Sequence, residues 1–167
     1  MKLYFVGYKG IGLVSKGIMW RTNGVYSHVG QVVDIQNMRE LSSYEAVGGV
    51  WYSNPTCHRN GTPYDVFSME ATEKQYTIFN EYKCMQKGMR YDFLGILGFF
   101  LNRDLNNFNE WFCSELEAWC CKKAGIDLLN FNTKPPRFVS PTDFLSSNKL
   151  KYEFSGLVYD SSLYVKI

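Results

Sequence analysis

The chain has 167 residues, 46% of them hydrophobic, with 18 basic and 16 acidic side chains and a formal net charge of +2. That length and apolar content fit one compact domain over residues 1–167, whose folding removes roughly two thirds of the unfolded surface from water. Charges of both signs are spread along the chain, which leaves no basic footprint for nucleic acid or an anionic membrane.

In chain order, "KLYFVGY" is apolar and aromatic enough for a strand and stops at the glycines of "GYKGIG". Its apolar run, broken by Gly7, is too short for a secretory leader. The glycines do not make a phosphate loop. "GIGLVS" carries serine where a dinucleotide fingerprint needs its third glycine, and "GLVSKGI" lacks the lysine of a Walker motif. A turn and a short helix over "LVSKGIMW" are expected instead. After the turn signal in "RTNG", the β-prone runs "SHVGQVVDI" and "LSSYEAVGGVWY" flank the polar turn "QNMRE" and predict a hairpin. "NPTCHRNGTP" reads as loop and "YDVFSM" as strand, while "EATEKQYTIFNEYKCMQKG" has helical periodicity with Gly88 as its stop.

A further helix is expected through "DFLGILGFFL". Its longest apolar stretch, Phe93–Leu101, has nine residues, whereas a membrane span needs about twenty. A soluble, cytoplasmic-type protein without membrane insertion is therefore expected. "NRDLNNFN" is loop, and "NEWFCSELEAWCCKKAGI" is a helix ending at Lys122, Lys123 and Gly125. "SPTDFL" reads as a serine-capped helix with Pro141 at its first position, and "KYEFSGLVYD" as a closing strand. Strands early, helices in the middle and strands late give an α+β class.

The five cysteines, with Cys120 and Cys121 adjacent, suit a reduced compartment better than a disulfide framework. Neither the cysteines nor the two histidines adopt C-x-x-C or H-x-x-x-H spacings, so no metal and no cofactor are expected. At 100° per residue, Phe112, Leu116, Trp119, Cys120 and Ala124 form one apolar stripe with Cys113 on its flank. Glu115 falls on the charged side with Lys122, and Glu117 lies nearer the stripe. Cys113 differs from the other thiols by sitting in the first turn, where unpaired N–H groups and the helix dipole favour an anion. A free thiol with a pKa of about 8.5 is only ~3% ionised at neutral pH, so reactivity also needs an imidazole. His58 lies in the turn-rich "TCHRNG" and is expected to be solvated; His28 heads an apolar strand, and Glu45 falls near the position facing it across the hairpin.

The order "YSHVGQVV", "YEAVGGVW", "YDFLGILGFF", "WFCSELEAWCCKKAGI" and "VSPTDFL" resembles the circularly permuted branch of the NlpC-type papain-like superfamily, the YiiX-like proteins. The resemblance implies a papain-like fold in which a small antiparallel sheet packs against the cysteine helix. It implies Cys113 as nucleophile, His28 as general base and acid, and Glu45 as the group that orients the imidazole. It further implies a thiol hydrolase acting on an amide or peptide bond, including cell-wall peptides. Alternatives are a lipid acyl hydrolase or acyltransferase of the same superfamily and a non-catalytic binding domain on the same scaffold. Tyr91-Asp92 and Tyr26 read as structural.

Overall fold

A computed structural model of the protein describes residues 1–44, 46, 48–94 and 110–159. Strands β1 (Lys2–Tyr8), β2 (His28–Asp34), β3 (Arg39–Tyr44), β4 (Gly49–Ser53), β5 (Pro63–Glu70), β6 (Arg90–Tyr91), β7 (Glu110–Trp111) and β8 (Lys151–Leu157) form one sheet. Its order is β7-β6-β4-β3-β2-β1-β5-β8. Neighbours pair antiparallel except β6 and β7, which are parallel. Among the described residues, helices α1 (Leu13–Thr22), α2 (Glu73–Met85), α3 (Cys113–Lys123) and α4 (Pro141–Leu145) accompany the sheet, in keeping with the expected α+β class. None of the described helices is long and apolar enough to cross a membrane.

β1 shows why the sheet is covered on both faces. Alternate residues of a strand point to opposite sides, and here both sets are apolar. Leu3 and Phe5 enter the larger core with Val29, Leu41, Phe79, Leu116 and Phe144. Val6 and Tyr8 join Val32, Val66 and Val158 in a smaller cluster. Phe5 fixes the larger core by edge-on contacts to Phe79 of α2 at 5.9 Å and Phe144 of α4 at 5.0 Å. Helix ends follow their sequence signals. Thr72 with Gln75 and Ser140 with Asp143 form capping boxes, and Gly125 adopts the left-handed φ of +66° just beyond α3.

The hairpin after β2 departs from expectation. Asp34 accepts bonds from the Gln36 and Asn37 N–H groups, closing the turn early, and Met38 takes a left-handed φ of +50°. Arg39 and Glu40 consequently belong to β3, not to the turn. The run "LSSYEAVGGVWY" is two strands, β3 and β4, because the chain reverses before Gly49 and pairs Tyr44 with Gly49. The helix expected through "DFLGILGFFL" and the loop "NRDLNNFN" lie largely outside the described residues.

Helix α3 is more deeply enclosed than a one-sided stripe requires. It packs against α2, β2, β3 and the Pro136–Phe138 turn, so Ser114, Glu115 and Glu117 are buried as well. Glu115 therefore does not share the solvated face expected for it. Glu117 is fully buried and ion-paired to the equally buried Lys83 of α2. The same Glu117 oxygen accepts the Gln31 N–H of β2 at 3.1 Å. Removing one partner of such a pair strands a charge in the interior. Lys83→Met is expected to lower the urea-unfolding free energy by about 3–5 kcal/mol, and Lys83→Met/Glu117→Gln to recover most of that loss, since Gln still accepts from Gln31. Equal losses in both variants would show that the stranded charge is not the cause.

Candidate active site

The first turn of α3 meets the sheet where β2 and β3 part. Their ladder runs from Asp34 opposite Arg39 to Gln31 opposite Leu41. At that end, Glu117 takes up the Gln31 N–H, while the Ser43 hydroxyl donates to the carbonyl of Trp111, two residues before Cys113. These two ties bring the start of α3 beside His28, the first residue of β2. Cys113 and His28 are both buried, and the Cys113 sulfur acts on the His28 ring.

The opposite flank of His28 is built by strand alternation. Residue pairing places Tyr8 opposite His28 and Glu40 opposite Val32, so Tyr8, His28, Gly30, Val32 and Glu40 share one sheet face. Gly30 is required here, because a Cβ at that position would come 2.7 Å from Glu40 Oε2 and 2.8 Å from Ser42 Cβ. Glu40 is completely buried. Its Oε1 accepts the Ser53 hydroxyl at 2.7 Å and lies 3.7 Å from His28 Nε2 and 3.8 Å from His58 Nε2. His58 stacks on Tyr8 with centroids 3.6 Å apart and on Tyr44 at 4.6 Å. Among the described residues, His28 Nε2, His58 Nε2, Glu40 Oε2 and the Tyr8 hydroxyl make no hydrogen bond.

Burial alone lowers an imidazole's pKa, because it disfavours the cation. At His28 the Cys113 sulfur and the Glu40 carboxylate overcome that effect and raise its pKa to about 10. Burial pushes Glu40 the other way from its two imidazole neighbours, and the imidazoles prevail, holding the carboxyl far below its usual range. At His58 burial wins over Glu40 and the pKa is lowered. The two histidines thus divide roles, with His28 carrying the proton and His58 remaining neutral at pH 7. Burial raises the Cys120 and Cys121 thiols above their ordinary range.

Two of the sequence-identified residues, Cys113 and His28, meet. Glu45 lies outside the described residues, and the carboxylate beside His28 is Glu40. The short Asx-closed turn hid it, since a strand beginning at Arg39 sets Glu40, not the end of the run, on the histidine's face. His58 corrects the expectation of a solvated loop histidine. Its loop is polar, but the ring is drawn inward by two tyrosine faces and a buried carboxylate. Local spacing gave no metal motif, yet three donor residues converge in space. His28, Glu40 and His58 bring donor atoms within 4.8 Å of one another from three separate segments, a grouping that no local motif announces. Tyr26 donates to Asp65 at 2.6 Å, and Tyr91 and Asp92 are buried.

No family model and no curated protein matches the sequence. The fold is similar to that of the crystal structure of metalloprotein YiiX from Escherichia coli O157:H7, with a TM-score of 0.65. The similarity covers 92% of this chain and 96% of that one at 16% sequence identity.

Burial separates the thiols chemically. Cys57 and Cys84 are exposed, whereas Cys120 and Cys121 are buried. Iodoacetamide at neutral pH followed by peptide mapping is expected to modify Cys57 and Cys84 in native protein and Cys120 and Cys121 only after denaturation. Native labelling of the adjacent pair would contradict their placement in the core.

Proposed function

We propose that the protein is a cysteine-dependent hydrolase working through a thioacyl intermediate, on a permuted papain-like version of the YiiX fold. The observation that carries this reading is the buried pairing of Cys113, at the start of α3, with His28, whose ring is influenced by that sulfur and has Glu40 behind it. A packed thiol in a core has no need of an imidazole, and an imidazole backed by a carboxylate is the arrangement that activates one. Glu40 takes the orienting role that the family resemblance gave to Glu45.

With Nε2 turned to Glu40, Nδ1 is the ring nitrogen left to receive the Cys113 proton. The thiolate adds to an acyl carbon, and backbone N–H groups at the start of α3 stabilise the oxyanion. The C–N or C–O bond then breaks as His28 returns its proton to the departing amine or alcohol. Water, losing a proton to His28, attacks the thioester, and the acid leaves as the sulfur is reprotonated. Glu40 holds the ring and balances its charge throughout. The substrate class is an amide or peptide bond, with cell-wall peptides first; a lipid ester undergoes the same steps.

YiiX is described as a metalloprotein, and the donor set here fits a metal ion. Two imidazole nitrogens and a carboxylate converge, with buried polar atoms that find no hydrogen-bond partner among the described residues. Such an ion would be held by His28, Glu40 and His58 and would supply positive charge beside the thiol. The hydrolase reading does not route a step through it.

Incubation with a fluorescent acyl ester and, separately, with muropeptides is expected to leave an acyl adduct on Cys113 with one of the two, found by peptide mass mapping. Cys113→Ala abolishes both adduct and turnover with the fold intact, and Glu40→Gln slows turnover by roughly a hundredfold. Turnover unaffected in Cys113→Ala removes the nucleophile and leaves a binding domain on a papain-like scaffold.

A further inference from the structure

We propose that His28, Glu40 and His58 form a zinc site, and that zinc bound there silences Cys113 by tying down the ring that must pass its proton to the leaving group. The site stands on geometry alone; the silencing rests on the hydrolase reading above.

The three residues come from the start of β2, the start of β3 and the loop between β4 and β5. Each is more than nine-tenths buried. Two imidazoles and one carboxylate are a donor set that zinc takes with one position left open. Zinc–nitrogen bonds of about 2.0–2.1 Å place neighbouring ligands of a tetrahedron about 3.3 Å apart. The two histidine–glutamate edges, at 3.7 and 3.8 Å, are a few tenths of an ångström wider. They are too long for hydrogen bonds and close to the span that an intervening ion sets. The histidine–histidine edge, within 4.8 Å, closes further by turning the rings. Stacking of His58 on Tyr8 and Tyr44 fixes its ring plane, and the Ser53 hydroxyl bond to Glu40 steadies the carboxylate, as ligand-orienting partners do. Neither contact has a role in acyl transfer, and the hydrolase reading leaves His58 without one.

Metal binding at His28 Nε2 displaces any proton there into solvent. The ring then keeps its single proton on Nδ1, the nitrogen that serves the thiol, and can release it to a departing amine or alcohol only by becoming an imidazolate, so the acid half of acyl transfer is lost. One ring cannot serve the metal and that acid step together. The sulfur itself stays outside the donor group.

The test uses the full chain stripped of metal. Calorimetric titration with zinc chloride is expected to show one ion per chain, and magnesium chloride no binding, since nitrogen donors disfavour it. Glu40→Gln and His58→Ala each weaken zinc binding by roughly tenfold or more, whereas Cys113→Ala binds zinc at least as tightly as the parent, since less proton competition remains at His28. Should His58→Ala fail to fold by circular dichroism, the cobalt(II) spectrum of the parent decides, with nitrogen and oxygen ligand-field bands and no thiolate charge-transfer band expected. No zinc binding, undiminished binding in folded His58→Ala, or a thiolate band would overturn the site. Saturating zinc is expected to slow acylation of Cys113 by the acyl ester by roughly tenfold or more; an unchanged rate overturns the silencing with the site intact. If the stripped protein is not acylated at all, the hydrolase reading and the silencing fail together, and calorimetry still judges the site.

Discussion

The geometry of the site depends on a buried ion pair that takes no part in chemistry. Glu117, fully buried one turn along α3 from Cys113, is paired with Lys83 of α2 and accepts the Gln31 N–H, three residues along β2 from His28. One carboxylate therefore ties the nucleophile helix to the histidine strand and to the helix behind both. Such a pair contributes little net stability relative to a well-packed apolar alternative, yet it admits few alternative positions, because moving either charge leaves the other buried and bare. Registry between sulfur and imidazole is what this arrangement provides, and a purely apolar α3 interface, free to slide, would hold it less well.

A second buried carboxylate does the electrostatic work. Glu40 sits between two imidazoles in a fully buried position, and its charge must be matched nearby. His28 matches it as a cation because the Cys113 sulfur adds to the carboxylate's pull; His58, lacking a sulfur, stays neutral. The asymmetry between two chemically identical side chains comes from the sulfur beside His28 and from the charge that His28 in turn presents to His58.

What could be read from the sequence follows from how local each signal is. The extent of α3 is announced by Lys122, Lys123 and Gly125, and the capped start of α4 by Ser140 and Pro141, all within a few residues. Cys113 was identifiable by its place in a first turn and His28 by the strand it heads. Glu40 was not, because its assignment depends on where a turn ends, and Asp34 closes that turn earlier than the polar run "QNMRE" suggests. His58 was less accessible still. Nothing in "TCHRNG" signals that Tyr8, some fifty residues earlier in the chain, offers a ring to stack on, and only the β1–β2 register sets that ring beside His28. The burial of Glu115 and Glu117 likewise reflects what surrounds α3 on several sides, which periodicity within the helix does not encode.

The coupling of sulfur to imidazole is tested most directly by nitrogen NMR of the two histidine rings in metal-free protein at pH 7. The account predicts that His28 is protonated on both ring nitrogens and His58 on one, and that Cys113→Ala shifts His28 toward the neutral form, because burial then acts against less opposition. Two neutral rings, with His28 unmoved by loss of the sulfur, would contradict it.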